Sequence, residues 1–297
     1  MATLTPRVVF VKRETDYEQL IARHGTREQA RFFLAARGQS IEAVEHAHQA
    51  FADALRLARA STPAEWRQAL VTREDFDRFL FGPEDIVVAV GQDGLVANVA
   101  KYLRGQPVLG INPSPDRYDG VLARHAAGHL KALLPATLAG EVRVQNRTMV
   151  QARMDNGDVL LALNEIFVGH RSHQSARYRI EDGATAEEHS SSGLIVSSGT
   201  GMTGWARSIR EATGVKLTLT PEERAVVYLV REPFPSVSTR TTMRAAKLGD
   251  TPLSVISRMG EGGVIFADGI EQDFVVFEWG RRVQVGPSDR SLRLVIG

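Results

Sequence analysis

The chain has no cysteine among its 297 residues, which excludes disulfides, thiolate nucleophiles and cysteine-based zinc sites. It also lacks any apolar run approaching the ~18 residues that a membrane helix needs. Met1 to Arg13 interleaves apolar residues with Arg7, Lys12 and Arg13 and never builds the apolar segment of a secretory signal. A soluble, cytoplasmic protein that does not bind membranes is therefore expected. An excess of one charge is missing too: the formal net charge is +1, which argues against a broad basic surface for nucleic acid. No low-complexity tract and no repeat at solenoid periods is present. The 43% hydrophobic content is that of an ordinary globular protein. The length suits two domains, and small-molecule partners fit best.

The most informative stretch is Asp85 to Leu95, DIVVAVGQDGL. Ile86 to Val90 form an unbroken apolar run, as in a parallel strand buried on both faces. Gly91-Gln92-Asp93-Gly94 follows, and Val96 to Leu103 has a helical pattern, so the segment reads as strand, tight turn, helix. Ligands bind beyond the carboxyl ends of such strands, where turn N–H groups and a helix N-terminus favour phosphate. An acidic Asp93 in that turn points to another task, such as orienting or deprotonating a hydroxyl or holding a metal. The plainer reading is an aspartate that caps the helix.

Around this stretch the first half alternates strands and helices, the pattern of a parallel α/β domain. Arg7 to Lys12 reads as a first strand. Asp16 to Gly38 is helical with a break at His24-Gly25-Thr26, and Ser40 caps a long helix ended by Ser61-Thr62-Pro63. Pro107 to Ile111 is a further strand that runs into Asn112-Pro113-Ser114-Pro115. Ala126 to Leu138 is a helix, and Pro135 to Gly140 is its exit and a domain linker. Beyond Glu141 the pattern becomes mostly β, with runs at Met149 to Met154, Val159 to Val168, Arg177 to Ile180, Leu194 to Ser197, Ala225 to Val230, Leu253 to Ser257, Val264 to Ala267 and Phe274 to Glu278. Gly201 to Ala212 is the helical exception, and Asp268-Gly269 is a hairpin signal. The expected domains are residues 1–139, α/β with a parallel sheet, and residues 140–297, β-rich, with the last residues packing back on the first domain.

Two more turns carry chemistry. Asn164-Glu165 follows the apolar run at Val159 to Leu163, so an amide and a carboxylate enter a buried register where polar groups must be paired. Ribose hydroxyls or a base edge could pair them, as could an internal network. Ser197 to Gly204 is a Ser/Gly/Thr loop opening a helix, suited to a nucleotide or to a plain connection. His125 and His129 have the spacing of a metal pair but no third ligand. His170 and His173 read as a solvated turn, and Arg177 and Arg179 as an exposed strand face.

Taken in order, the three turns resemble the NAD kinase family, whose pattern is a GGDG turn, an Asn-Glu or Asn-Asp pair and a TPTGSTAY-like loop. Here they read GQDG at Gly91 to Gly94, LNE at Leu163 to Glu165 and SGTGMTGW at Ser198 to Trp205. GLIVSSGTG, PVLGIN and IFADG are similar to family segments, and the opening VKRETDYEQLIARHG is most like the mitochondrial-type branch. The resemblance implies an α/β domain and a β-rich domain with the site between them. It implies that Asp93 activates the 2′-hydroxyl of the NAD adenosine ribose and that Gly91, Gln92 and Gly94 form the nucleotide turn. Asn164 and Glu165 would hold NAD, and Thr200, Gly201, Thr203, Gly204, Trp205 and Ser208 would enclose it. ATP and NAD are the implied substrates, with Mg²⁺ neutralising charge, in a homodimer or higher homo-oligomer.

The chain departs from the pattern at several places. Gln92 stands for the second glycine, Leu95 for a hydroxyl residue, Gly199 for proline, Met202 for serine, and Ser192 where an aspartate often precedes Gly193. These changes fall more on the phosphate-donor side than on the NAD side. Two other readings follow: an NAD-binding relative without phosphoryl transfer, or a related GGDG-type kinase acting on a lipid or sugar hydroxyl.

Overall fold

The computed structural model describes residues 5–297. The first four residues, part of the stretch read as too charged for a signal peptide, lie outside the described residues. Among those described, no helix is long and apolar enough to cross a membrane. The chain divides into two compact units, one running to Gln145 and joined by Arg293–Gly297, the other Asn146–Leu292.

The first unit contains β1 (Arg7–Lys12), α1 (Asp16–His24), α2 (Arg27–Ala35), α3 (Ile41–Ala60), β2 (Arg67–Thr72), β3 (Asp85–Val90), α4 (Asp93–Ala100), β4 (Pro107–Ile111) and α5 (Leu130–Ala139). Local chemistry sets the helix starts: Thr15 caps α1 in a capping box with Glu18, Thr26 caps α2, and Ser40 caps α3. Between α1 and α2, Gly25 supplies the turn expected at His24-Gly25-Thr26. The sheet is parallel in the order β2-β1-β3-β4, and Arg293 and Leu294 add a parallel pairing beside β4. Every residue of β3 is buried, so Ile86 to Val90 are apolar without alternation, and the buried Asp85 is paired with Arg7. Phe10, Val88, Leu109 and Ile111 pack with Leu130 and Leu134 of α5 and Phe51 and Leu55 of α3.

The second unit contains β5 (Val144–Met154), β6 (Val159–Ala162), β7 (Glu165–His170), β8 (Ala176–Asp182), β9 (Thr185–Ser191), β10 (Leu194–Ser197), α6 (Trp205–Thr213), β11 (Val226–Val230), β12 (Ala245–Leu248), β13 (Leu253–Ser257), β14 (Gly263–Ala267), β15 (Val275–Val276) and β16 (Arg282–Val295). One antiparallel sheet has the order β12-β11-β10-β7-β14-β15. Strands β16, β13, β8 and β9 form a second antiparallel array. Inner-face residues of both, among them Ile166, Val196, Tyr228, Tyr178, Val255 and Val283, share one core. The opposite face of the first sheet carries Phe167, Ile195 and Val227 against Ala206 and Ile209 of α6. The expected class, an α/β domain with a parallel sheet followed by a β-rich domain, is the architecture observed.

Several element bounds differ from expectation for identifiable reasons. The run Val159 to Val168 is two strands, β6 and β7, because the Leu163 and Asn164 N–H groups bond to the Asp268 carboxylate rather than to a ladder. The helix expected over Gly201 to Ala212 begins as a 3₁₀ turn at Gly201–Thr203 and is interrupted at Gly204, whose ψ of −124° no helix allows. The helix after β3 starts at Asp93 and ends at Ala100, and that over Ala126 to Leu138 starts as a 3₁₀ turn at Ala127–His129. Phe274 to Glu278 shrinks to Val275–Val276. Strands β2, β9, β12 and β16 were not expected, because polar residues interrupt their apolar pattern.

One close approach within the first unit bears on the site. A Cβ on Gly110 of β4 would lie 2.2 Å from the Leu122 carbonyl oxygen, so the 121–123 backbone lies directly on the strand. Gly110→Ala is expected to lower unfolding stability by about 1–3 kcal/mol in urea titrations. Amide exchange at Val121 to Ala123 should accelerate with it.

Candidate functional site

In the first unit the GQDG turn lies at the carboxyl end of β3. Gly91 donates its N–H to the Ile111 carbonyl at 2.9 Å, which ties the ends of β3 and β4 together. Gln92 is the N-cap residue of α4 and makes no side-chain cap bond. Gly94 is exposed in the first turn of that helix. The Asp93 carboxylate neither caps α4 nor stands clear of the protein. Its Oδ1 accepts the N–H groups of Leu122 at 2.9 Å and Ala123 at 2.8 Å, and its Oδ2 that of Val121 at 3.0 Å. These bonds fix the carboxylate's orientation and shape the loop over Gly110, leaving lone-pair capacity for a further donor.

Beyond the ends of β1, β3 and β4 opens a cavity of about 370 Å³, lined by Arg13, Thr15, His48, Gln92, Ser114 and Arg117 among others. Ala43, Ala47 and Phe51 of α3 give it an apolar wall, and His48 is held by Thr15 Oγ1 at 2.8 Å from its Nδ1. Arg13 and Arg117 bring two guanidinium groups to this cavity, and Glu14 and Asp16 bring two carboxylates.

In the second unit the Asn164-Glu165 pair sits where the chain leaves β6 and enters β7. Ser198 donates its N–H to the Asn164 carbonyl at 2.8 Å and its hydroxyl to the Leu163 carbonyl. The Ser198 hydroxyl also accepts the N–H groups of Thr200 and Gly201. Gly201 rests on this corner so closely that a Cβ there would lie 2.4 Å from the Asn164 carbonyl oxygen. The structure thus joins Asn164 and Glu165 to Thr200 and Gly201. Thr203 closes the loop by donating to the Thr200 carbonyl at 3.1 Å. Glu165 and Phe167 share one face of β7, and Trp205 stacks on Phe167 with ring centroids 5.7 Å apart. Trp205 therefore belongs to the packing of that face, and Arg231 covers its ring at 5.0 Å. Ser208 is exposed one turn further along α6.

Two residues at this corner were not foreseen as part of a site. Asp268, expected as a hairpin residue, forms a turn with Gly269 in which both have positive φ and Ile270 N–H donates to Ala267. Its carboxylate accepts from Leu163 and Asn164. Arg147 of β5 is buried at 4% exposure and reaches Thr200 Oγ1 at 3.4 Å. Asp268 belongs to the IFADG segment noted for its family likeness, but that likeness assigned it no role, and a lone Arg147 carries no signal of one.

Glu165 is buried at 8% exposure. Burial, assisted by the Asp268 carboxylate, pushes its proton affinity up to a pKa of about 8. Of the two histidines at the spacing of a metal pair, His129 is exposed and His125 serves the core: its Nε2 bonds the Val295 carbonyl at 2.9 Å, and burial pushes its pKa down. Arg179 is paired with Glu181 and Glu188.

The raised pKa of Glu165 has a consequence for stability. Below its ordinary value of 4.5 both folded and unfolded states hold the proton, and between 4.5 and about 8 only the folded state does. Its contribution is therefore lost as pH rises through that window and is constant above it. Glu165→Gln removes the titration. The variant's melting temperature should exceed that of the wild type by an amount that is negligible below pH 4.5, grows toward pH 8 and then levels off.

No protein-family model matches the chain. In sequence it is similar to the NAD kinase of Geobacter metallireducens, 30% identical over 132 residues, covering 42% of this chain and 46% of the relative. It is likewise similar to that of Burkholderia vietnamiensis, 32% identical over 133 residues, covering 42% and 43%. The chain thus spans less than half the length of the curated relatives it matches. In structure it is similar to yeast NADH kinase in complex with NADH, with a TM-score of 0.61, 14% identity and coverage of 99% of this chain and 84% of that one. It is also similar to an NAD kinase from Archaeoglobus fulgidus in complex with ATP, with a TM-score of 0.61, 20% identity and coverage of 98% and 94%. The resemblance to NAD kinases read from three short turns is carried by aligned sequence over about two fifths of the chain and by the fold over nearly all of it.

Proposed function

We propose that the chain is an NAD kinase, transferring the γ-phosphoryl group of ATP to the 2′-hydroxyl of the NAD adenosine ribose to give NADP. The observation that carries this reading is the Asn164-Glu165 corner. Its backbone polar groups are taken up by Ser198 and Asp268, which leaves the amide and carboxyl side chains to recognise a ligand. The 197–204 loop lies directly on it. In this reading Asn164 and Glu165 hold NAD, with Thr200, Gly201, Thr203, Gly204, Trp205 and Ser208 forming the loop and helix that enclose it. Residues 140–297 bind NAD, and residues 1–139 serve the phosphoryl donor through the cavity at Gly91, Gln92, Arg13 and Arg117.

Chemically, the 2′-oxygen forms a bond to the γ-phosphorus as the bond to the β,γ-bridging oxygen breaks. ADP departs, and the hydroxyl proton passes to Asp93. A carboxylate already oriented by backbone N–H groups is suited to that task, since positioning is the larger part of phosphoryl-transfer catalysis. Among the described residues no group of three or more His, Asp or Glu could hold a metal ion. Mg²⁺ bound with the nucleotide would supply neutralisation of the phosphate charge. A cytoplasmic homo-oligomer completes the proposal.

Purified protein incubated with NAD⁺, ATP and Mg²⁺ should yield NADP⁺. Asp93→Asn should lower turnover by roughly 10² or more while NAD affinity changes little; near wild-type turnover in the mutant would remove Asp93 from the mechanism.

The binding-only reading rests on Gln92, whose side chain borders the cavity where a glycine stands in the family pattern. If the transfer reading holds, Gln92→Gly leaves activity within a few-fold. A wild type that binds NAD but phosphorylates it only after Gln92→Gly would favour the binding-only protein.

A further inference from the structure

We propose that Asp268 is a positioning residue for the ligand groups of Asn164 and Glu165, holding the corner between β6 and β7 rigid and standing as the charged neighbour of Glu165. The inference rests on the reading of that corner as the NAD site.

Three hydrogen bonds bracket the corner from one residue. Asp268 Oδ2 accepts from Leu163 N–H at 2.9 Å, Oδ1 accepts from Asn164 N–H at 2.7 Å, and its own N–H donates to the Glu165 carbonyl at 3.0 Å. Ser198 takes the Leu163 and Asn164 carbonyls from the other side. Backbone groups of an irregular, buried segment are thereby satisfied without a ladder, and the direction in which the two side chains leave the backbone is set. To reach this position Asp268 adopts a φ of +50°, a conformation that aspartate and asparagine tolerate better than other non-glycine residues.

The second effect is electrostatic. Asp268 is the charged neighbour that, after burial, raises the proton affinity of Glu165. Strands β6, β10 and β14 and the 197–204 loop carry no titratable side chain. On β7 the other such group is His170 at the far end, and on β5 Arg147 reaches Thr200 while Arg153 is exposed. A protonated Glu165 presents an O–H donor beside a C=O acceptor, whereas the ionised form only accepts. Ligand recognition that uses the donor is lost as pH rises through the pKa of Glu165.

The test follows the Glu165 carboxyl by ¹³C NMR without ligand, and NAD affinity by calorimetry, across the pH range around 8. Wild type, Asp268→Asn and Asp268→Gly are compared. In both variants the Glu165 titration should move to lower pH and NAD binding should weaken about tenfold or more. Glycine is at ease at positive φ and supplies no carboxylate. A Gly variant that binds NAD like the wild type, or a Glu165 titration unmoved in Asp268→Asn, would overturn the inference. Asp268→Asn keeps the side-chain shape and the tolerated backbone, so the test remains readable if the Gly variant unfolds. A wild type that binds no NAD would defeat the NAD kinase reading, while the NMR titration would still decide the role of Asp268.

Discussion

A carboxylate that accepts hydrogen bonds from consecutive backbone N–H groups can hold an irregular segment where no neighbouring strand exists to do so. Each unit of this protein relies on one. Asp93 gathers the N–H groups of Val121, Leu122 and Ala123, and Asp268 those of Leu163 and Asn164. Buried N–H groups left unpaired would each cost about 1–3 kcal/mol, so a single side chain that serves two or three of them is a strong local constraint. Both segments lie next to regular sheet: the first on Gly110 of β4, the second between β6 and β7. The sheets supply rigid ground, and the two aspartates fasten non-repetitive backbone to it.

This constraint explains which features of the fold are legible in the sequence. Strands β3, β7, β10, β11 and β14 are buried along nearly their whole length, so their apolar runs announce them. Helices α1, α2 and α3 announce themselves through Thr15, Thr26 and Ser40, whose capping is local chemistry. Strands β9 and β16, by contrast, carry Glu187, His189 and Ser191 along one face, or Ser288 and Asp289 in mid-strand. Tertiary partners decide such strands: Glu187, for instance, is satisfied by Thr242 and Met243 from a distant loop. The continuous run from Val159 to Val168 is misleading for the same reason, because what divides it lies 104 residues away at Asp268.

The candidate site shows the same division. Asp93, Asn164, Glu165 and the Ser198 to Gly204 loop are visible in sequence because glycines and small polar residues interrupt apolar runs there, and the backbone needs them. Gly201 illustrates the need, since any side chain would collide with the Asn164 carbonyl. What the sequence leaves hidden is how each group is used. Asp93 reads as a side chain presented to a ligand, yet it also organises a loop. Trp205, matched to the enclosing loop by resemblance, stacks on Phe167 and extends the packing of the sheet. Position in a motif identifies a candidate, and the surrounding contacts determine what remains of it for chemistry.

The departures from the family pattern acquire a physical sense on the same ground. Gly199 replaces a proline, and a Cβ at that position would lie 2.0 Å from the Thr220 carbonyl oxygen. Here the loop passes too near its neighbour for any side chain, so the glycine is required by this chain's own packing. Gln92 is a different case. As an N-cap in the extended region with no cap bond of its own, it needs no glycine backbone, and its side chain borders the cavity alongside Arg13 and Arg117. A neutral amide beside a cavity lined by both guanidinium and carboxylate groups adds a hydrogen-bond donor and acceptor without adding charge. The backbone at this position can therefore tolerate the change to Gln92. Under the proposed reading the difference from the GGDG pattern bears on donor recognition, while the hydrogen bonds that hold Asp93 and the Asn164-Glu165 corner do not involve Gln92.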